Sequence, residues 1–176
     1  LVGKLGTADA DVIMAIAYLD GAVDLVRQLK QAGVKPKMLV FGVGASLAEF
    51  GQELLSDAEG VSGVVQWLRG IKMPGAQDFA YRFRKLDGQN PAAYAALGYS
   101  GGEVIEAAVR LAGTTDHAAV REKLHSMVFN SLLGIYKVDA DGRQVGKNNY
   151  LLQWQGKDRR LIAPAIVAES QLIYPM

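Results

Sequence analysis

Two short apolar runs, residues 12–18 (VIMAIAY) and 38–41 (MLVF), limit what this 176-residue chain can become. Both are too short for a core helix and neither has a polar interruption, the pattern of parallel strands buried on both faces. Between them Ala22, Val26 and Leu29 recur at helical spacing behind Asp20, the expected N-cap, and Gly33 and Pro36 end the stretch. The small-residue turn Gly42, Val43, Gly44, Ala45 follows, and then Ser46 with Glu49, an expected capping box ahead of Leu47, Phe50 and Leu54. Strand, helix, strand, turn, helix is a βαβ unit. The fold class is therefore α/β, with a Rossmann-like parallel sheet and flanking helices.

Residues 61–67 read as a third strand, and Met73-Pro74-Gly75 as a turn where the chain leaves the first unit. Residues 78–86 carry Phe79, Phe83 and Leu86 at amphipathic spacing. Asn90 with Pro91 predicts an N-cap and first helical position, for a helix running to about Ala112 and closed by Gly113. A further helix is expected over 116–127, with Val120, Leu124 and Met127 on one side. Beyond Asn130 the pattern turns to strands, at 135–138 and 150–154, separated by the 139–142 turn with Gly142 where positive φ is needed. A last strand at 161–163 follows the turn at 156–158. This late section reads as a β-hairpin appended to the α/β body.

Composition narrows the function classes. Nineteen basic residues against eighteen acidic ones give a formal charge of +1, and no basic block occurs, so nucleic acid is not an expected partner. No apolar run nears the roughly 18–20 residues a membrane span requires, so the chain is not itself expected to span. With no cysteine, disulfides, thiol catalysis and thiolate metal sites are excluded. The chain opens on Leu1 without a signal pattern, so any targeting segment is expected to have been removed or to lie outside the sequence.

One enzyme motif is present. Residues 98–102 match G-x-S-x-G, the nucleophile elbow of α/β-hydrolases, with Ser100 in the central position. That motif needs a strand before the serine so that its hydroxyl stands on a strained turn. The preceding residues 91–97 favour helix instead, and a close helix contact is the simpler explanation for the small residues. His117 and His125 lie eight apart without a third ligand at metal spacing, and Asp139 with Asp141 lacks the remaining oxygens of a calcium loop. No cofactor and no metal are expected. The Gly42–Ala45 turn lacks the third glycine or lysine of a phosphate loop, yet it stands where open α/β sheets bind ligands, at the carboxyl end of a strand. Tyr18 closes the neighbouring strand at the same sheet end. Tyr94 and Tyr99, five apart on the long helix, do not share one face. The candidate ligand-binding residues are thus Tyr18, Gly42, Val43, Gly44, Ala45, Tyr94 and Tyr99.

The order of these segments resembles the C-terminal half of type I periplasmic binding proteins, in particular those that feed branched-chain amino acid ABC importers. Residues 10–33, with Tyr18, Val26-Arg27-Gln28-Leu29 and Ala32-Gly33, are similar to a strand and helix of that family's second lobe. Residues 35–46 and Asp57-Ala58-Glu59-Gly60-Val61 resemble the next strand, loop and "AEG" step. Tyr94, Tyr99 and the alanine-rich helix resemble the segment returning to the first lobe. Leu133-Gly134, 139–142 and Leu152-Gln153-Trp154 resemble the late hairpin and its "QW" ending. The resemblance implies parts of two lobes: 1–68 from lobe two, 69–130 from lobe one, and 131–176 returning to lobe two. It also implies a fragment, since two lobes of ordinary size need about twice this length.

By the same resemblance the chain is expected to be part of an extracytoplasmic solute-binding component of an ABC importer, working in the periplasm with membrane subunits. It is expected to hold a small amphipathic solute between the lobes. Family members that bind amino acids carry an acid in the loop after the second of these strands, to meet the ligand ammonium. Residues 41–46 have none here. Either Asp20 substitutes, or the ligand is an aromatic or aliphatic carboxylate without an ammonium, since an unpaired buried ammonium is costly. The alternatives are a serine hydrolase using Ser100 and a cytoplasmic ligand-sensing regulator of the same fold.

Overall fold

The computed structural model describes residues 2–176. These form two compact units, one of residues up to Val65 with 149–176, the other of residues 66–148. The expected divisions stood at 68/69 and 130/131; residues 131–148 lie in the second unit.

The first unit contains α1 (Val2–Ala8), β1 (Val12–Ala15), α2 (Leu19–Gln31), β2 (Met38–Phe41), a 3₁₀ turn (Gly44–Ser46), α3 (Ala48–Leu54), a second 3₁₀ turn (Leu55–Ala58) and β3 (Ser62–Val65). Far along the chain two further strands complete its sheet, β6 (Tyr150–Gln155) and β7 (Asp158–Ala163). The sheet order is β1-β2-β3-β6-β7, with β1, β2 and β3 parallel and β6 and β7 antiparallel to their neighbours. The expected parallel pair is present, in the register Val12↔Met38 to Ala15↔Phe41.

Burial of β1 differs from the expectation. It lies at the sheet edge, so Val12, Met14 and Ile16 are exposed and only Ile13 is buried. An alternation of this kind marks one covered face, not two. Its pairing also stops at Ala15, and the extended Tyr18 backbone is the N-cap of α2, its carbonyl accepting the Ala22 N–H at 2.9 Å. Asp20 is therefore not the cap but the second residue of the helix. Likewise Ser46 and Glu49 form no capping box: the Ser46 hydroxyl donates to the Val43 carbonyl at 2.7 Å, and Leu47 starts α3 without a side-chain cap. Both helices are started by backbone geometry alone.

The core of this unit is the aromatic series Phe41, Phe50 and Trp154, with ring centroids 5.9 and 6.0 Å apart, together with Leu39, Leu152 and Leu161. Gln153 is fully buried and fully used. Its amide nitrogen donates to the carbonyls of Gly60 (2.8 Å) and Ile173 (3.0 Å), while its oxygen accepts the Ile173 N–H (2.9 Å). That side chain laces residues 171–176 to the sheet, helped by the Met176 N–H on the Lys37 carbonyl.

The second unit holds α4 (Ala76–Asp87), α5 (Ala93–Ala112), α6 (His117–Ser126), β4 (Phe129–Ser131) and β5 (Gly134–Tyr136). Trp67 packs edge-on against Phe79 at 5.8 Å, and Ile71, Ala96, Ala108 and Leu132 are buried as well. α5 ends at Gly113 in the left-handed region as expected, but it starts behind Ala92, two residues later than the Asn90-Pro91 signal implied. Asp116 caps α6 through its carboxylate, which accepts the Ala119 N–H at 3.0 Å. The late hairpin is also partnered differently. β5 pairs with β4, a three-residue strand, and not with 150–154, which lies between β3 and β7.

Candidate functional site

Because β1 and β2 are parallel and in register to their last residues, the segments leaving them run side by side. The Gly42 N–H donates to the Ala15 carbonyl at 3.0 Å and the Gly44 N–H to the Ala17 carbonyl at 2.9 Å. This ladder brings Tyr18 and the Gly42–Ala45 loop together at the carboxyl end of the sheet, as the sequence predicts. The Tyr18 side chain is exposed, and Gly42 and Val43 are half-buried. Gly44 and Ala45 are buried and act differently. A Cβ on Gly44 would overlap Cβ of Ala22 and come within 2.8 Å of the Tyr18 carbonyl oxygen, so only glycine lets the start of α2 close on the loop. The Ala45 carbonyl accepts the Trp154 indole N–H at 2.8 Å.

Asp20 is exposed in the first turn of α2, and its carboxylate makes no hydrogen bond or ion pair among the described residues. With the capping role removed, it is a carboxylate two residues from Tyr18 at the carboxyl end of the parallel strands. No acid lies within the loop itself.

Tyr99 belongs to the second unit. Its ring lies tilted against Phe79, centroids 4.9 Å apart, and its hydroxyl accepts from Arg82 at 3.1 Å, whose guanidinium also pairs with Asp78 at 2.9 Å. The Tyr99 phenol and then the Asp78 charge hold Arg82 above the usual arginine range. Tyr99 and Arg82 line a cavity of about 310 Å³ with Met73, Glu103, Ser131 and Leu132. Glu103 is already engaged, accepting the Leu132 N–H at 2.8 Å. Tyr94 is exposed on α5 but does not line this cavity. Sequence reasoning missed Arg82 and Glu103, which look like ordinary solvated charges on amphipathic helices.

The nucleophile-elbow match dissolves in the structure. Ser100 sits within α5, buried, with helix on both sides and no preceding strand to strain it. The Asp139 carboxylate accepts the N–H groups of Asp141 and Arg143, so it serves its own turn. Among the described residues no group of three or more His, Cys, Asp or Glu side chains is placed to hold a metal ion, and no helix is long and apolar enough to cross a membrane.

Comparison with known proteins adds an independent line. A family described as "Periplasmic binding protein" matches residues 1–159. Among solved structures, the chain is similar to a leucine binding protein, LivK, of Thermotoga maritima MSB8, at 24% identity, TM-score 0.79, covering 92% of this chain and 47% of that one. It is also similar to a branched-chain amino acid transporter substrate binding protein, LivJ, of Streptococcus pneumoniae in complex with isoleucine, at 21% identity, TM-score 0.75, covering 99% and 47%. A third is an ABC transporter solute binding protein of R. palustris in complex with benzoate, at 19% identity, TM-score 0.72, covering 98% and 48%. The chain spans about half the length of these structures.

Proposed function

We propose, from the premise that this chain belongs to the periplasmic binding protein family, that it is part of the extracytoplasmic solute-binding component of an ABC importer and takes a small amphipathic organic acid. The observation that carries this reading is the placement of the exposed Tyr18 side chain and the Gly42-Val43 backbone at the shared carboxyl end of β1 and β2. An aromatic surface suits the apolar body of such a ligand, and glycine in the loop lets a ligand approach the backbone closely. Membrane subunits of the importer are the proposed partner and the periplasm the proposed compartment. The structures in complex with isoleucine and benzoate set the two ligand chemistries to compare.

The loop without an acid favours a carboxylate that has no ammonium, of which benzoate is the simplest probe. Asp20 offers the one specific counter-argument, since its exposed carboxylate is free to meet an ammonium. Tyr99 and Tyr94 are proposed as further ligand contacts. Thermal-shift titration of the full-length protein with benzoate, leucine and isoleucine separates these cases. Stabilisation by benzoate and not by the amino acids is expected. Stabilisation by isoleucine that is lost in Asp20→Asn would give Asp20 the ammonium-binding role, and no stabilisation by any of them would remove the site.

A further inference from the structure

We infer that Trp154 and Arg159 are positioning residues for the loop between β2 and α3, a role that rests on reading that loop as the solute site. The two side chains are direct cross-strand partners in the β6–β7 hairpin. Each takes one of two successive loop carbonyls: Trp154 Nε1–H donates to Ala45 O at 2.8 Å, and Arg159 Nη1 donates to Ser46 O at 2.6 Å. The guanidinium lies 5.9 Å from the indole centroid, so the pair also supports itself by a cation–π contact.

The surroundings fit a fixed clamp. A Cβ on Gly51 would overlap the Trp154 ring, so α3 packs directly on the indole face, and Phe50 meets it at 6.0 Å. Across the loop, a Cβ on Gly63 of β3 would come within 3.1 Å of the Ala45 carbonyl carbon and the Ser46 nitrogen. The loop is thus held between a bare stretch of β3 and the tip of a hairpin some hundred residues later in the chain. Arg159 is half-buried, and desolvation lowers its pKa, with Glu49 and Asp158 opposing that shift. A surface arginine serving solubility alone would not be placed so. Turning the two carbonyls inward fixes the peptide planes from Ala45 to Leu47, and with them the approach of the chain to Gly42 and Val43.

Hydrogen exchange of the full-length protein, followed by mass spectrometry and NMR, tests this without any ligand. The amides of Gly44, Ser46 and Leu47, bonded to Ala17, Val43 and Gly44 carbonyls, report on the loop. In Arg159→Gln, and in Trp154→Phe, which keeps a packed ring, exchange at these amides is expected to accelerate tenfold or more while β2 and β3 keep their protection. Arg159→Lys retains a charged donor and is expected to recover part of that protection. Unchanged loop exchange in both variants, or an equal rise across β2, β3 and β6, would overturn the positioning role. Absence of solute binding would remove the site reading and leave this result standing.

Discussion

At the scale of single residues, the buried polar groups divide into one network that is complete and a few groups that are not. Gln153 satisfies three backbone groups at once, and Gln153→Leu would remove the partner of all three, the Gly60 carbonyl in a buried site and the two Ile173 groups in a part-buried one. A loss of about 3 kcal/mol is expected in urea unfolding, from desolvated groups left without partners. Ser62 is the converse: its hydroxyl is buried with no partner, so Ser62→Ala should be neutral or stabilising by up to about 1 kcal/mol. Lys147 is partly buried beside Gln66 Oε1 at 3.2 Å, and desolvation lowers its pKa from the ordinary 10.5. Between the lowered folded pKa and 10.5 the unfolded chain holds more protons, so this lysine's contribution makes stability rise with pH in that window. Below the folded pKa both states are charged and the slope vanishes. Subtracting the pH profile of Lys147→Met from that of the wild type should isolate this rise. Residue chemistry was only partly legible in the sequence. Asp20 and Ser46 are the residue types a cap requires, yet extended backbone at Tyr18 and Leu47 starts both helices, and composition does not encode that choice.

At the scale of elements, the parallel βαβ unit could be read because two apolar runs and one amphipathic stripe leave few arrangements. The hairpin partners could not. β4 has three residues, too few for a period-2 pattern, so residues 135–138 seemed to need 150–154. Edge placement of β1 was also hidden, since an apolar run reads alike whether its second face is covered or open. In α5, Gly98, Gly101 and Gly102 have open space where a Cβ would stand. Helical glycines without a packing reason cost backbone entropy, so Gly101→Ala should raise the stability of this chain by roughly 0.5–1 kcal/mol. Thermal unfolding checks it, and a loss instead would mean that the helix needs its glycine there.

At the scale of the whole molecule, the family and its fold were legible from the order of loose segment matches, and the match over residues 1–159 establishes the membership. The geometry of the two strand ends was legible in outline. Strand ends locate Tyr18 and Gly42–Ala45 together, whereas the hold of Trp154 and Arg159 on the Ala45 and Ser46 carbonyls spans more than a hundred residues, which no local pattern carries. The solute-binding account therefore concentrates on the exposed Tyr18 ring. Its most direct test is calorimetric titration of the full-length protein with benzoate and isoleucine, comparing wild type with Tyr18→Ala. Tyr18 contributes its backbone to α2 and little buried side chain, so the variant should unfold at the same temperature while binding its ligand at least about tenfold more weakly, the loss of one aromatic contact. Undiminished affinity in Tyr18→Ala would contradict the account.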